Sequence, residues 1–158
     1  MFWIITLLML GFILVNVLQL FLFAQPASAA LPPLSLETLE LEAMYVLTGV
    51  ANDVQHQVVN AAAGSNQQFV ATVEVLAVEK GLLLSTDPNQ MIDYPPGTPL
   101  PGCEIAVYYW QVGDRPPGWT GDSGQSRGLP LNTPVRLYVS QEENQLWLLS
   151  PNGWNPLN

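Results

Sequence analysis

The chain holds one histidine and one cysteine, which limits the chemistry it can support. A Ser-His-Asp or Cys-His centre needs an imidazole that can cycle a proton. His56, inside Val54-Gln55-His56-Gln57-Val58, is the only candidate, and no Gly-x-Ser-x-Gly elbow accompanies it. Catalysis by Cys103 with His56 would require the two to meet in space. As a single cysteine, Cys103 cannot form an intramolecular disulfide, and at the head of an apolar stretch it reads as a small buried residue. A zinc centre needs more nitrogen and sulfur ligands than one His and one Cys supply. Paired carboxylates are a second route to hydrolysis. Asp114 and Asp122 flank Trp119 in one loop, and sugar cleavage uses two carboxylates beside an aromatic platform. The same two residues, set among Gly and Pro, also read as turn-formers that accept backbone N–H bonds. Oxygen ligands for Ca²⁺ occur at Asp87, Asn89 and Asp93, or at Asp114 and Asp122, but without the spacing of a twelve-residue calcium loop. No cofactor is expected.

Aromatic side chains form the strongest constellation. Trp119 lies in Pro116-Pro117-Gly118-Trp119-Thr120-Gly121-Asp122, and Trp154 in Pro151-Asn152-Gly153-Trp154-Asn155-Pro156. Tyr108 and Trp110 share one face of a strand, with Tyr138 and Trp147 on strands expected to lie near it. Large, rigid, partly polar rings on a β surface make contact platforms for proteins, peptides or sugars. The expected binding set is therefore Trp119, Trp154, Asp114, Asp122, Arg115, Trp110 and Tyr108. The competing expectation is that Trp119 and Trp154 plug the core beneath two long loops.

These residues need elements to hold them. Phe69 to Lys80 is the longest clean β signal, rich in β-branched residues and closed by Gly81. Fully extended it would run ~40 Å, long enough to bend around a small barrel. Tyr45 to Val50 predicts a strand with Gly49 as a bulge or bend, Asn52-Asp53 a turn, and 60–68 a loop. Cys103 to Val112, apolar on both faces, predicts a strand that is central or lies under a loop. Val135 to Gln141 alternates with Val135, Leu137 and Val139 inward and Arg136, Tyr138 and Ser140 outward. Glu142-Glu143-Asn144 turns it into Gln145–Leu149. Residues 82–102 and 113–134 are Pro/Gly-rich excursions. The pattern predicts an all-β domain, a five-stranded Greek-key barrel of the OB type following an N-terminal hydrophobic helix, with an open β-sandwich as the alternative.

The succession Tyr45-Val46-Leu47-Thr48-Gly49-Val50, Phe69 through Lys80-Gly81, Glu104-Ile105-Ala106-Val107-Tyr108 and Leu131-Asn132-Thr133-Pro134-Val135-Arg136-Leu137-Tyr138-Val139 resembles bacterial netrin/TIMP-like OB-fold domains. The resemblance spans most of residues 43–149, with Asn132 standing where those domains carry a Gly. It implies a fold. It does not imply protease inhibition, because the disulfides of the animal members and the zinc-chelating N-terminal Cys of TIMP inhibitors have no counterpart here. The composition also looks like that of cyanobacterial envelope or lumenal proteins.

From Phe2 to Ala24 the chain is uncharged and apolar apart from Thr6, Gly11, Asn16 and Gln19, and as a helix it would span ~35 Å, the reach of a membrane anchor. Ala27-Ser28-Ala29 follows as an A-x-A cleavage site behind Pro26, so residues 1–30 read as signal peptide or anchor. Residues 31–42 read as a tether and 43–158 as the barrel. No Lys or Arg follows the apolar run until Lys80, which predicts export to a periplasm, lumen or exterior. Membrane contact is then confined to residues 2–24 where they are retained. Four basic against thirteen acidic residues give a net charge of −9. That balance opposes nucleic acid and anionic lipid as partners and favours cationic ones. The expectation is a non-enzymatic binding or assembly module whose partner is another exported or membrane protein, with carbohydrate or peptide as further ligand classes. Two alternatives stand beside it: a structural subunit of a membrane complex, and a hydrolase using Asp114/Asp122 or Cys103/His56.

Overall fold

A computed structural model describes residues 32–82 and 92–157. The apolar segment 2–24, the A-x-A site, Asp87 and Asn89 lie outside the described residues. No helix among those described is long and apolar enough to cross a membrane.

The domain is all-β, with one short helix. That helix, α1 (Leu36–Glu42), forms where the tether was expected. Its start is a capping motif: the Ser35 hydroxyl accepts the Thr38 N–H at 3.1 Å, and Glu37 lies in the first turn. At the other end the Lys80 ammonium donates to the carbonyls of Glu40, Leu41 and Ala43, which have no partner further along the helix. Seven residues are too few to hold a helix alone. Burial holds it: Leu39 and Ala43 pack on Val46 and Tyr138 as a small cluster outside the main core.

The strands are β1 (Tyr45–Ala61), β2 (Gly64–Lys80), β3 (Glu104–Val112), β4 (Pro134–Glu142), β5 (Gln145–Leu148) and β6 (Trp154–Pro156). In the six-stranded sheet they run β1-β2-β3-β5-β4-β6, and β1 pairs with β4 as well, so the first five strands pair in a ring. All contacts around the ring are antiparallel except β3 with β5. Closing a sheet this way leaves one dry interior. Leu47, Ala51, Ala71, Val73, Val75, Val107, Tyr109, Val135, Leu137, Val139, Leu146 and Leu148 fill it.

The loop expected at 60–68 is instead strand. β1 and β2 each run 17 residues and meet at a tight turn at Ala62-Ala63, forming a hairpin that extends past the ring. The expected Asn52-Asp53 turn is an irregularity within β1: the register slips between Ala51 and Asp53 and pairing then continues to Ala61. Gly49 lies at another slip, as expected of a bend. A Cβ there would meet Val73 Cγ1 at 2.6 Å and the Glu74 carbonyl oxygen at 2.8 Å, so only glycine lets β1 and β2 approach so closely.

The slips also move side chains between faces. Thr48 pairs with Ala77 and Gly49 with Val75, leaving Leu76 as an extra residue on β2. Beyond it Ala77 is exposed, and Val78 packs against the core. Tyr138 differs from the expected exposure. Its side chain leaves the barrel as alternation predicts, but α1 covers it and its exposure is 0%.

Candidate functional site

The site is built on the outward side of β3 and β5. Val107 and Tyr109 point into the barrel, so Tyr108 and Trp110 point out. The parallel pairing of β3 with β5 sets Tyr108 beside Trp147, their rings 5.3 Å apart and tilted by 37°. Cross-strand partners share a face, so the β2 pairs of these residues, Gln68 against Trp110 and Val70 against Tyr108, extend the surface sideways. Gln57 of β1 adds an amide to it by donating to Gln68 Oε1 at 3.1 Å.

Trp110 and Trp147 together wall two adjoining hollows. One, of about 410 Å³, is completed by Asp122, Ser140, Glu142 and Leu148 to Ser150. The other, of about 200 Å³, is completed by Val59, Asn66 and Gln68. The result is a groove with indole walls and an amide floor, bordered by the β1–β2 arm on one side and the β4–β5 turn on the other. Both indoles are half-buried, which fixes the rings and leaves part of each open to a ligand.

The 113–125 loop is anchored beside this groove. Ser65 N–H donates to the Asp114 carbonyl, Gly113 N–H to the Ser65 carbonyl, and Asp114 N–H to Ser65 Oγ. Arg115 reaches the Ser65 carbonyl and Asn66 Oδ1 while its guanidinium lies 4.6 Å from the Trp119 ring centre. Asp122 Oδ1 accepts the Gly124 N–H at 2.9 Å, the turn-forming role its context suggested. Gln125, 3% exposed, then ties the loop to the chain end: its amide donates to the Leu149 carbonyl at 2.7 Å and accepts the Gly153 N–H at 3.1 Å.

Of the sequence-predicted set, Tyr108, Trp110 and Asp122 come together at the groove. Arg115, Asp114 and Trp119 form a separate patch in which the arginine and the indole serve each other. Trp154 is a core residue, 6% exposed, with Nε1 donating to the Arg127 carbonyl and the Arg127 guanidinium 4.0 Å above its ring. It plugs the barrel and offers no surface. The expected binding set left out Glu142, Gln68 and Trp147, although Trp147 belonged to the aromatic constellation, because only the parallel β3–β5 register puts it against Tyr108. The alternating Gln145-Leu146-Trp147-Leu148 already signals that Trp147 points outward.

The proposed thiol–imidazole pair does not form. His56 pairs with Phe69, which pairs with Tyr109, and the three rings stack, Phe69 on Tyr109 at 4.8 Å. Cys103 precedes the far end of β3, about 20 Å from that stack at strand rise. Cys103 is also exposed, against the expectation of burial, and its backbone carbonyl accepts the Val75 N–H. Among the described residues, no group of three or more His, Cys, Asp or Glu is placed to hold a metal ion. No family model, curated protein or solved structure matches the chain.

Proposed function

We propose that this chain is an exported or membrane-anchored, non-enzymatic β-barrel that binds a partner protein across the Tyr108–Trp110–Trp147 face. The ring order, with its single parallel contact between β3 and β5, supports reading the barrel as an OB-type fold of the netrin/TIMP-like kind. Barrels of that type take ligands across the face of strands 2 and 3, between the loops that follow strands 1 and 4. The groove adjoins that face, sharing Asn66 and Gln68 of β2 and Trp110 of β3 with it and adding Trp147 of β5. Val59 of the β1–β2 arm and Glu142 at the β4–β5 turn are its borders. The half-buried Trp110 and Trp147 walling two adjoining hollows, with Tyr108 against Trp147, are the observation that carries the proposal. Nucleic acid, a frequent ligand of such barrels, is opposed by the net charge of −9.

Isolation of the tagged full chain from its own membranes tests the reading. The partner recovered with the wild-type protein is expected to be lost with Trp147→Leu or Trp110→Leu, each with a melting temperature within a few degrees of wild type. Undiminished recovery with the double variant would contradict it.

A further inference from the structure

All four basic residues are already occupied within the chain. Lys80 caps the end of α1. Arg115 bonds the Ser65 carbonyl and stacks on Trp119, and Arg127 lies over Trp154. Arg136 pairs with Glu40 and Glu79 and faces the Tyr138 ring. Both ion pairs among the described residues use that one arginine. With only Arg136 paired to carboxylates and thirteen acids against four bases, the net field a partner meets is anionic. At the groove two of them, Asp122 and Glu142, stand with Trp110 and Trp147 around the same hollow of about 410 Å³. Ser140 and Ser150 line it too, and no basic residue does.

Indole faces attract ammonium and guanidinium groups through the ring quadrupole, and adjoining carboxylates add a direct charge interaction. The chain applies the first half of this chemistry to itself twice, at Arg115 and Arg127, and Arg136 does the same with the Tyr138 phenol ring. The groove has the ring and the carboxylate without a cation of its own. Resting on the binding-module reading, we infer that it takes the ammonium or guanidinium group of a Lys/Arg-bearing, extended segment of the partner protein. The open indole faces bind the alkyl stem and cation, Asp122 and Glu142 hold the charge, and the Gln57–Gln68 amides meet the passing backbone.

The test is a titration of the full-length chain in nonionic detergent, read by tryptophan fluorescence. The probes are a peptide alternating lysine with glycine, the same peptide with glutamine for lysine, and cellohexaose as a neutral glycan. The lysine peptide is expected to saturate the signal, with affinity falling as salt rises. The glutamine peptide and cellohexaose are expected not to compete with it. Asp122→Asn with Glu142→Gln keeps an amide oxygen for the Gly124 N–H and removes both charges; it should weaken the lysine peptide about tenfold without shifting the melting temperature. Equal binding of the two peptides, or unchanged affinity in the neutralised variant, would overturn the cation inference. Saturation by cellohexaose alone, lost in Trp147→Leu, would overturn the inference and leave a ligand-binding groove standing. Silence of every probe would overturn the inference, while the partner recovery described above decides the module reading by itself.

Discussion

Gln125 is the polar residue on which two irregular segments depend. With 3% exposure, its amide joins the 113–125 loop to the chain end through Leu149 and Gly153. Removing it strands a buried carbonyl and a buried N–H. Gln125→Leu is expected to cost about 2–4 kcal/mol in denaturant unfolding. The indoles divide in the same way between core and surface. Trp154→Leu should cost about 3 kcal/mol, whereas Trp147→Leu, half-buried on the outer face, should cost under about 1.5 kcal/mol. A larger loss for Trp147 would mark it as a core residue. Tyr109 adds a pH signature. Burial raises its phenol pKa above the ordinary 10.0, against the lowering effect of the Leu129 N–H it accepts. The unfolded phenol therefore loses its proton first, so its contribution is whole below pH 10 and fades as pH rises toward the folded value. Tyr109→Phe should be about 1 kcal/mol less stable at pH 8 through the lost acceptor and show a shallower alkaline decline than wild type. Parallel urea titrations at pH 8 and pH 11 measure both.

At the scale of elements, the β4–β5 turn joins fold to site, because Glu142 leads into it. Glu143 and Asn144 have φ of 45° and 65°, the positive pair a two-residue hairpin of type I′ requires. Glutamate is poorly suited to that conformation. Glu143→Asn with Asn144→Gly should raise stability by about 0.5–1 kcal/mol without altering partner recovery. Gly49→Ala, which drives a Cβ onto Val73 and the Glu74 carbonyl, should cost about 1–3 kcal/mol. Period-two alternation made β4 and β5 legible in the sequence, each burying one face, and the turn between them was legible too, whereas β3 was legible as a short β-branched and aromatic run apolar on both faces. Elsewhere tertiary context overrode the local signal. Asn60 to Gln68 is polar and Ala-rich, yet β1–β2 pairing out to Ala61–Gly64, joined by β3 from Asn66 onward, keeps all but the Ala62-Ala63 turn extended. Leu36 to Met44 fits helix and strand equally well; the Ser35 cap, the Lys80 bonds and a place for Leu39 settle it as helix. β6 is only three residues long and has no periodicity to read.

For the whole molecule, charge and topology act together. The cations hold α1, the 113–125 loop and the chain end on the barrel, and the excess of acids leaves the molecule anionic. Aromatic residues were legible as the site's raw material, and their assignment to plug or platform was not. Trp119 and Trp154 share a Gly-Trp setting among prolines, but ring closure buries only Trp154, and Trp147 gains its role from a pairing between strands almost forty residues apart. The central claim is that the Tyr108–Trp110–Trp147 face is where a partner sits. Photo-crosslinking in the host cell tests it most directly, with a benzophenone side chain in place of Trp147 or, as the control, of Leu76, which is 46% exposed on β2. A discrete crosslinked product from position 147 and none from position 76 is the predicted result. Equal products from both positions, or a product from 76 alone, would contradict it.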